Sequence, residues 1–204
     1  MGTKPLRPWI VTIIVAFFTY IAYVVCGSAI PALAKAIDIA LGTIQKGYQV
    51  GNLLIYCIML VAWLMSGLRV WQNDKGNKTA QYGGILLVCY GIVGLVWQAL
   101  ALIGLFTQTN LVPMPLYITL TIVTAVLIGA AMIVLAIHYR HKAMLWLSVC
   151  YVALSVLYTP LHPLMLYGSN HSTAIRVVYT LASSAAEILQ IVYLFKWAKQ
   201  VKKS

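Results

Sequence analysis

Arg176, Thr180, Ser183, Glu187 and Gln190 follow one another at steps of four, three, four and three residues in a stretch otherwise rich in Leu, Ile, Val and Ala. At about 100° per residue in a helix, they share an arc of about 80°. Of the non-aromatic polar residues there, only Ser184 lies clearly off this stripe. Glu187 is the member with the greatest chemical consequence. It sits about 16 Å along the axis from Arg176 and about 13 Å from Lys196, near the middle of any bilayer this helix crosses. An acid at that depth costs a few kcal/mol unless it is partnered, neutral or wet. Arg176 is too far up the same helix to pair with it, and the other acids, Asp38 and Asp74, lie outside the apolar stretches. A protonated, hydrogen-bonded carboxyl is the expected resident state, because desolvation disfavours the charged form. Two roles compete for such a group. It can hold a proton, a cation or a ligand, or it can knit helices together through a structural hydrogen bond.

A second polar stripe precedes it. Ser148, Tyr151, Ser155, Tyr158, Thr159 and His162 fall within an arc of about 100°. Gly84, Gly91, Gly94, Gln98 and Ala101 make a small, weakly polar face suited to close helix approach. Asn52, Tyr56, Trp63 and Ser66, and earlier Thr12, Thr19 and Tyr23, add further hydroxyls, amides and aromatics. The candidate ligand, proton or cation site drawn from these stripes comprises Glu187, Gln190, Ser183, Arg176, Tyr151, Ser155, Tyr158 and Gln98. Much of the same surface also serves as bundle packing.

The elements that must carry these stripes are six apolar stretches, at residues 8–26, 49–71, 82–106, 117–138, 143–159 and 173–197. Each approaches the ~20 residues needed to cross a ~30 Å hydrocarbon core. With 62% hydrophobic and 8% charged residues among 204, the chain has no room for an extramembrane domain. The expected fold is all-α: one membrane domain over 1–204, a polytopic bundle of six transmembrane spans. Of the 14 basic residues, Lys4, Arg7, Arg69, Lys75, Lys78, Arg140, Lys142, Lys196, Lys199, Lys202 and Lys203 fall on one side, leaving Lys35, Lys46 and Arg176 for the other. Short basic loops stay on the cytoplasmic side, so both termini are expected inside.

The segment 28–48 between the first two spans is not a plain loop. Ile30, Leu33, Ile37, Leu41 and Ile44 align on one helical face, with Lys35, Asp38, Gln45 and Lys46 largely off it and Pro31 suited to a first turn. An amphipathic helix flat on the outer leaflet fits this pattern, and a lid over an outer vestibule is the sharper alternative. Trp9, Trp71, Trp146 and Trp197 fall at inner boundaries with Tyr82, Tyr139 and Tyr193 beside them, while Tyr48, Tyr117 and Tyr167 mark the outer one. Aromatic belts at both interfaces support the same topology. Three spans on either side of the loop at 107–116 permit an inverted repeat, but the halves share no residue-level similarity.

Several classes drop out. The net charge of +11 sits in short juxtamembrane clusters, which topology and anionic headgroups explain without nucleic acid. Cys26, Cys57, Cys89 and Cys150 lie in or at the ends of apolar stretches with no Cys-x-x-Cys spacing, as small buried hydrophobes do. His162 and His171 lack a third good ligand beyond Asp38, and His138 and His141 stand beside Arg140 and Lys142, so no metal is expected. Zinc-protease, nucleophile-elbow and phosphate-loop motifs are absent, Ser155 and His162 are about 10 Å apart on one helix, and neither an enzyme nor a cofactor is expected. Lys4, Arg7 and the run ending near Ala32-Leu33-Ala34 imitate a secretory signal, but the run from Trp9 to Val25 is long, and an uncleaved first span is expected.

Size and layout resemble small bacterial multi-pass proteins of the cell membrane, with no diagnostic motif. The leading expectation is a transporter or membrane-embedded solute-binding subunit for a small molecule or ion. The alternative is a sensor, immunity or assembly subunit that acts through helix contacts with a membrane partner protein or a second copy of itself. The lipid bilayer is a partner in either case. Reporter fusions test the topology. Those after Gly76 and Ser204 are expected to report cytoplasm and one at Asn110 the outside, whereas an exterior signal at Gly76 would invert every later span.

Overall fold

Asn77 ends the polar break after the second apolar stretch by capping the next helix. Its Oδ1 accepts from the backbone N–H groups of Thr79 and Ala80 at 3.0 and 3.3 Å, satisfying donors that a first helical turn leaves without partners. His141 does the same with Nδ1, accepting from Met144 N–H at 3.3 Å. Just before it Arg140 takes a left-handed conformation, φ 48°. That turn lets the N–H groups of Arg140 and His141 reach back to the carbonyls of Ile137 and Ala136 at 3.0 and 3.1 Å, which closes the preceding helix end. Pro115 sits in the first turn of its helix, where its missing N–H costs nothing. These signals cut the chain into the observed elements.

The computed structural model describes residues 14, 15, 18, 21, 22, 41–73, 76–107, 113–159, 161 and 173–203. Five long helices result: α1 (Leu41–Asn73), α2 (Lys78–Thr107), α3 (Met114–His138), α4 (Lys142–Tyr158) and α5 (Thr173–Lys203). The described residues contain no strand. Four helices are long and apolar enough to cross a membrane, over Gln49–Gln72, Lys78–Thr107, Ile118–His138 and Val177–Gln200. These match four of the six expected stretches. The fifth, α4, has 17 residues, about 25 Å at 1.5 Å each. The first, 8–26, lies outside the described residues except for helical positions 14, 15, 18, 21 and 22. Most of the expected surface helix at 30–46 lies outside them too. Where it is described the reading needs correcting: 41–46 is the start of α1 and runs straight into the span. No proline separates Leu41 from Gln49, and the helix runs on through Gly42 and the Gln45-Lys46-Gly47 stretch.

Each helix packs on the next, α1 on α2, α2 on α3, α3 on α4 and α4 on α5. The row closes into a bundle where Trp197 of α5 stacks on Trp63 of α1, ring centroids 5.9 Å apart and planes 19° from parallel. A second tie crosses the bundle: Tyr193 Oη on α5 donates to the Met132 carbonyl on α3 at 2.8 Å. Trp197 and Tyr193, expected in the inner aromatic belt, are fully buried. Their place in the chain suits the interface, but the face of α5 that carries them turns to α1 and α3. Trp71, Tyr82 and Trp146 do face outward as a belt requires. The outer surface of the bundle is apolar, with Val156 70% and Leu181 66% exposed alongside Ile92, Val96, Val126 and Ile188. Contiguous apolar surface of this kind is what a hydrocarbon environment covers. The protein is a multi-pass helical membrane protein.

Helices α1 and α2 meet backbone to backbone. A Cβ on Gly67 would lie 2.6 Å from the Gly84 carbonyl oxygen, and one on Gly84 would lie 2.7 Å from that of Gly67. Small residues permit this approach, and membrane helices associate through such packing. Gly67→Ala and Gly84→Ala are each expected to lower stability by about 1–3 kcal/mol, as overpacking does. Gly51→Ala, with open space around it, serves as the control and should leave the melting temperature in detergent unchanged or slightly higher.

Candidate functional site

The polar faces of the helices converge on one cavity of about 300 Å³. Helix α5 brings Tyr179, Ser183, Glu187 and Gln190, which are spaced four, four and three residues apart on one face. Helix α4 brings Tyr151 and Tyr158, and α2 brings Tyr90, Gly94, Trp97 and Gln98. Tyr56 enters from α1. Helix α3 closes the wall with Leu120, Thr121, Thr124 and Ile128. On every helix these residues lie from the middle toward the end that carries the α2–α3 connection. Toward the opposite end the bundle is packed solid by Trp63, Trp197, Tyr193, Met132, Leu135 and Met144. The cavity is therefore one-sided, with an aromatic floor where Trp63 meets Tyr90 edge to face at 6.3 Å.

Of the eight residues singled out in the sequence, Glu187, Gln190, Ser183, Tyr151, Tyr158 and Gln98 line this cavity. Ser155 is buried between the two α4 tyrosines, near both phenols but without hydrogen-bond geometry to a described residue. The side chain of Arg176 lies outside the described residues. His162 and Asn52, from the flanking stripes, do so as well.

Glu187 is half-buried on the cavity wall. Its carboxyl lies within electrostatic reach of Tyr56, Tyr151 and Tyr158. Among the described residues it has neither a cationic neighbour nor a hydrogen-bond donor. The hydrogen bond expected from its depth in the membrane is not made by these residues. The hydroxyls nearby are partly spent on their own helices. Ser183 Oγ donates to the Thr180 carbonyl at 3.1 Å, and Thr124 Oγ1 to the Leu120 and Thr121 carbonyls, both at 2.9 Å. Gln190 is 4% exposed, and its Nε2 has no partner among the described residues. Burying an amide without a partner is costly, so an unpaired donor on a cavity wall marks a place where something else can bond.

Tyr90, Trp97, Tyr179, Thr121 and Thr124 were not among the residues singled out. Tyr179 lies one turn before Ser183, on the shoulder of the Glu187 stripe, and a stripe confined to non-aromatic residues leaves it out. Tyr90 and Trp97 flank the glycine face of α2 in the same way. Thr121 and Thr124 follow Tyr117 at steps of four and three residues, a short stripe that goes unread when Tyr117 is assigned to the outer aromatic belt.

No known protein family matches the sequence, and neither a curated protein nor a solved structure is significantly similar to it. The site must be read from its own chemistry.

Replacing Gln190 tests whether its amide is strained by burial. Gln190→Leu removes an unpaired donor while keeping most of the volume. It is expected to raise unfolding stability by about 1 kcal/mol or leave it unchanged. A loss of more than that in a thermal melt would show that the amide is bonded in the resting protein.

Proposed function

We propose that this protein is a small-solute or ion transporter, or a membrane-embedded solute-binding subunit, that uses Glu187 as its titrating or ligand-holding group. The observation that carries the proposal is the cavity itself: a polar space within an otherwise apolar bundle, walled by all five helices, with the chain's one intramembrane acid on its surface. Sites for small molecules have this character, concave and largely preformed with a few convergent polar groups. The alternative of a non-transporting partner asks for a dry, bonded Glu187, and a half-buried carboxyl without a bond to any described residue supports that less well.

The remaining parts of the proposal follow from the charges. Six spans in one membrane domain, with both termini cytoplasmic, put Arg69, Lys78, Arg140, Lys142, Lys196 and Lys199 at the inner face. The solid end of the bundle is then the cytoplasmic one, and the cavity faces outward. In an alternating-access cycle the Trp63–Trp197 stack would be the inner barrier that has to part.

Water access and titration are tested together. On a background without Cys26, Cys57, Cys89 and Cys150, Ser183→Cys should react with a membrane-impermeant thiol reagent added outside. Ala186→Cys, at a buried position off the cavity wall, should not. Glu187→Gln keeps size and hydrogen bonding but cannot bind a proton. It should melt within a few degrees of the parent and lose pH-dependent solute movement in proteoliposomes. A Ser183→Cys protein that resists labelling from outside, together with an active Glu187→Gln, would end this reading.

A further inference from the structure

The cavity walls narrow the class of solute, and this step rests on the reading just given. Six of the lining side chains are aromatic: Tyr56, Tyr90, Trp97, Tyr151, Tyr158 and Tyr179. Tyr158 and Tyr179 form a corner at the α4–α5 seam, with centroids 6.0 Å apart and planes at 80°. One carboxyl group, Glu187, shares the space, and among the described residues no Lys, Arg or His lines it. A carboxyl with no positive charge beside it among the described residues disfavours anions. A bare metal cation is served poorly too. Mg²⁺ and Ca²⁺ want about six or more oxygen ligands in a shell, with carboxylates among them, whereas the described wall carries a single carboxylate among neutral amide, hydroxyl and phenol groups. Aromatic faces around a single negative charge attract a weakly hydrated organic cation, by the cation–π attraction that recognises quaternary ammonium groups. The size agrees. At roughly 30 Å³ per water, 300 Å³ is the space of about ten waters, enough for a solute of about that many non-hydrogen atoms.

From these walls we infer that the cavity binds a small organic monocation carrying an alkylated ammonium group, with Glu187 as counter-ion, aromatic rings around the alkyl groups and the Gln190 amide bonding an oxygen on the solute. The buried Gln190 Nε2, which has no partner among the described residues, is the independent mark of a missing partner. Counter-ion duty has a consequence. The same carboxyl oxygens take either a proton or the cation, so binding of the cation expels the proton from Glu187. Among the described residues, the titratable groups facing Glu187 are Tyr56 on α1, Tyr90 on α2, Tyr151 and Tyr158 on α4 and Tyr179 on α5, while the lining of α3 has none. Phenols are neutral near pH 7, so Glu187 alone supplies the exchanged proton.

The test uses the full chain purified in maltoside micelles, which contain no ammonium headgroup, with Trp fluorescence and calorimetry as readouts. Choline is the probe. Its uncharged isostere 3,3-dimethylbutan-1-ol is the control, and a short-chain phosphatidylcholine separates a free solute from a lipid headgroup as the source. Choline should bind saturably and at least tenfold more tightly than the isostere. Glu187→Gln and Tyr179→Leu should each weaken it at least tenfold, while Phe195→Leu, on the outer surface, should not. Affinity should fall as pH is lowered, and binding should release protons in the parent but not in Glu187→Gln. Tighter binding of the phosphatidylcholine with the same Glu187 and Tyr179 dependence supports the inference with a lipid as the source. Equal binding of the isostere, or indifference to Glu187→Gln in a protein that melts normally, overturns it. If choline fails while Glu187-dependent movement of another solute persists, the cation assignment falls and the transport reading stands. If Glu187→Gln changes neither, both fall.

Discussion

A helix in hydrocarbon satisfies its own backbone but not its polar side chains, and every polar stripe in this chain must therefore turn toward another helix. That requirement orients the bundle. Once the Gln98 face of α2, the Tyr151–Ser155 face of α4 and the Glu187 face of α5 all turn inward, the polar surface has only a few ways to be covered. Toward one end it is covered by the Trp63–Trp197 stack, the Tyr193 bond to the Met132 carbonyl and the fully buried Met144 and Leu135. Toward the other end the helices offer Gly94, Thr121, Ser183 and Ala125 where large side chains would be needed to fill the centre, and a cavity remains. One sorting rule thus produces a sealed half and a hollow half.

The sealed half depends on close approach between α1 and α2, since Gly67 and Gly84 leave no room for a Cβ between their backbones. Further along α2 the contact loosens in steps. Gly91 accepts the Leu64 side chain and Gly94 the Leu60 side chain, and by Gln98 the same face lines open space. The spacing of small residues along α2 therefore sets where packing ends and the cavity begins. Helix α4 acts from the opposite side. Its 17 residues run to Tyr158, and Thr159 just beyond keeps helical dihedrals, φ −55° and ψ −46°, with its N–H bonded to the Ser155 carbonyl. Tyr158 is held at the helix end against Tyr179, where it walls the cavity.

Much of this arrangement was legible in residue spacing because lipid removes the ambiguities of a soluble core. Span positions follow from run length, and the inward faces of α4 and α5 follow from where Ser148, Tyr151, Glu187 and Gln190 recur. Aromatic residues were less legible. A Tyr or Trp near a helix end suits an interface belt and a packed core equally well, since one end of the ring system is polar and the rest is not. Trp146 went to the lipid face, and Trp197 and Tyr193 went inside. What separates them is the rotation of α5 against α1 and α3, a property of the assembled bundle. The same ambiguity hid Tyr90, Trp97 and Tyr179, whose faces become a wall only when three helices meet. The start of α1 was misplaced for a different reason. The amphipathic period through Leu41 and Ile44 is genuine, but periodicity shows that a segment is helical and not where the helix bends.

The ring walls also bear on why one acid can be kept in such a place. A carboxyl in hydrocarbon with no partner would be expensive, and the described residues give Glu187 no hydrogen bond and no counter-ion. It lines instead a space large enough for several waters, which can bond the carboxyl and the Gln190 amide that the described residues leave without a partner. A solute that replaces those waters must supply equivalent interactions or lose affinity. For the carboxyl, that favours a charge or a donor. For the tyrosine and tryptophan rings, it favours apolar groups that water solvates poorly. The polar stripe and its aromatic shoulder thus make opposite demands at neighbouring points, and a solute that is cationic at its centre and apolar at its rim meets both.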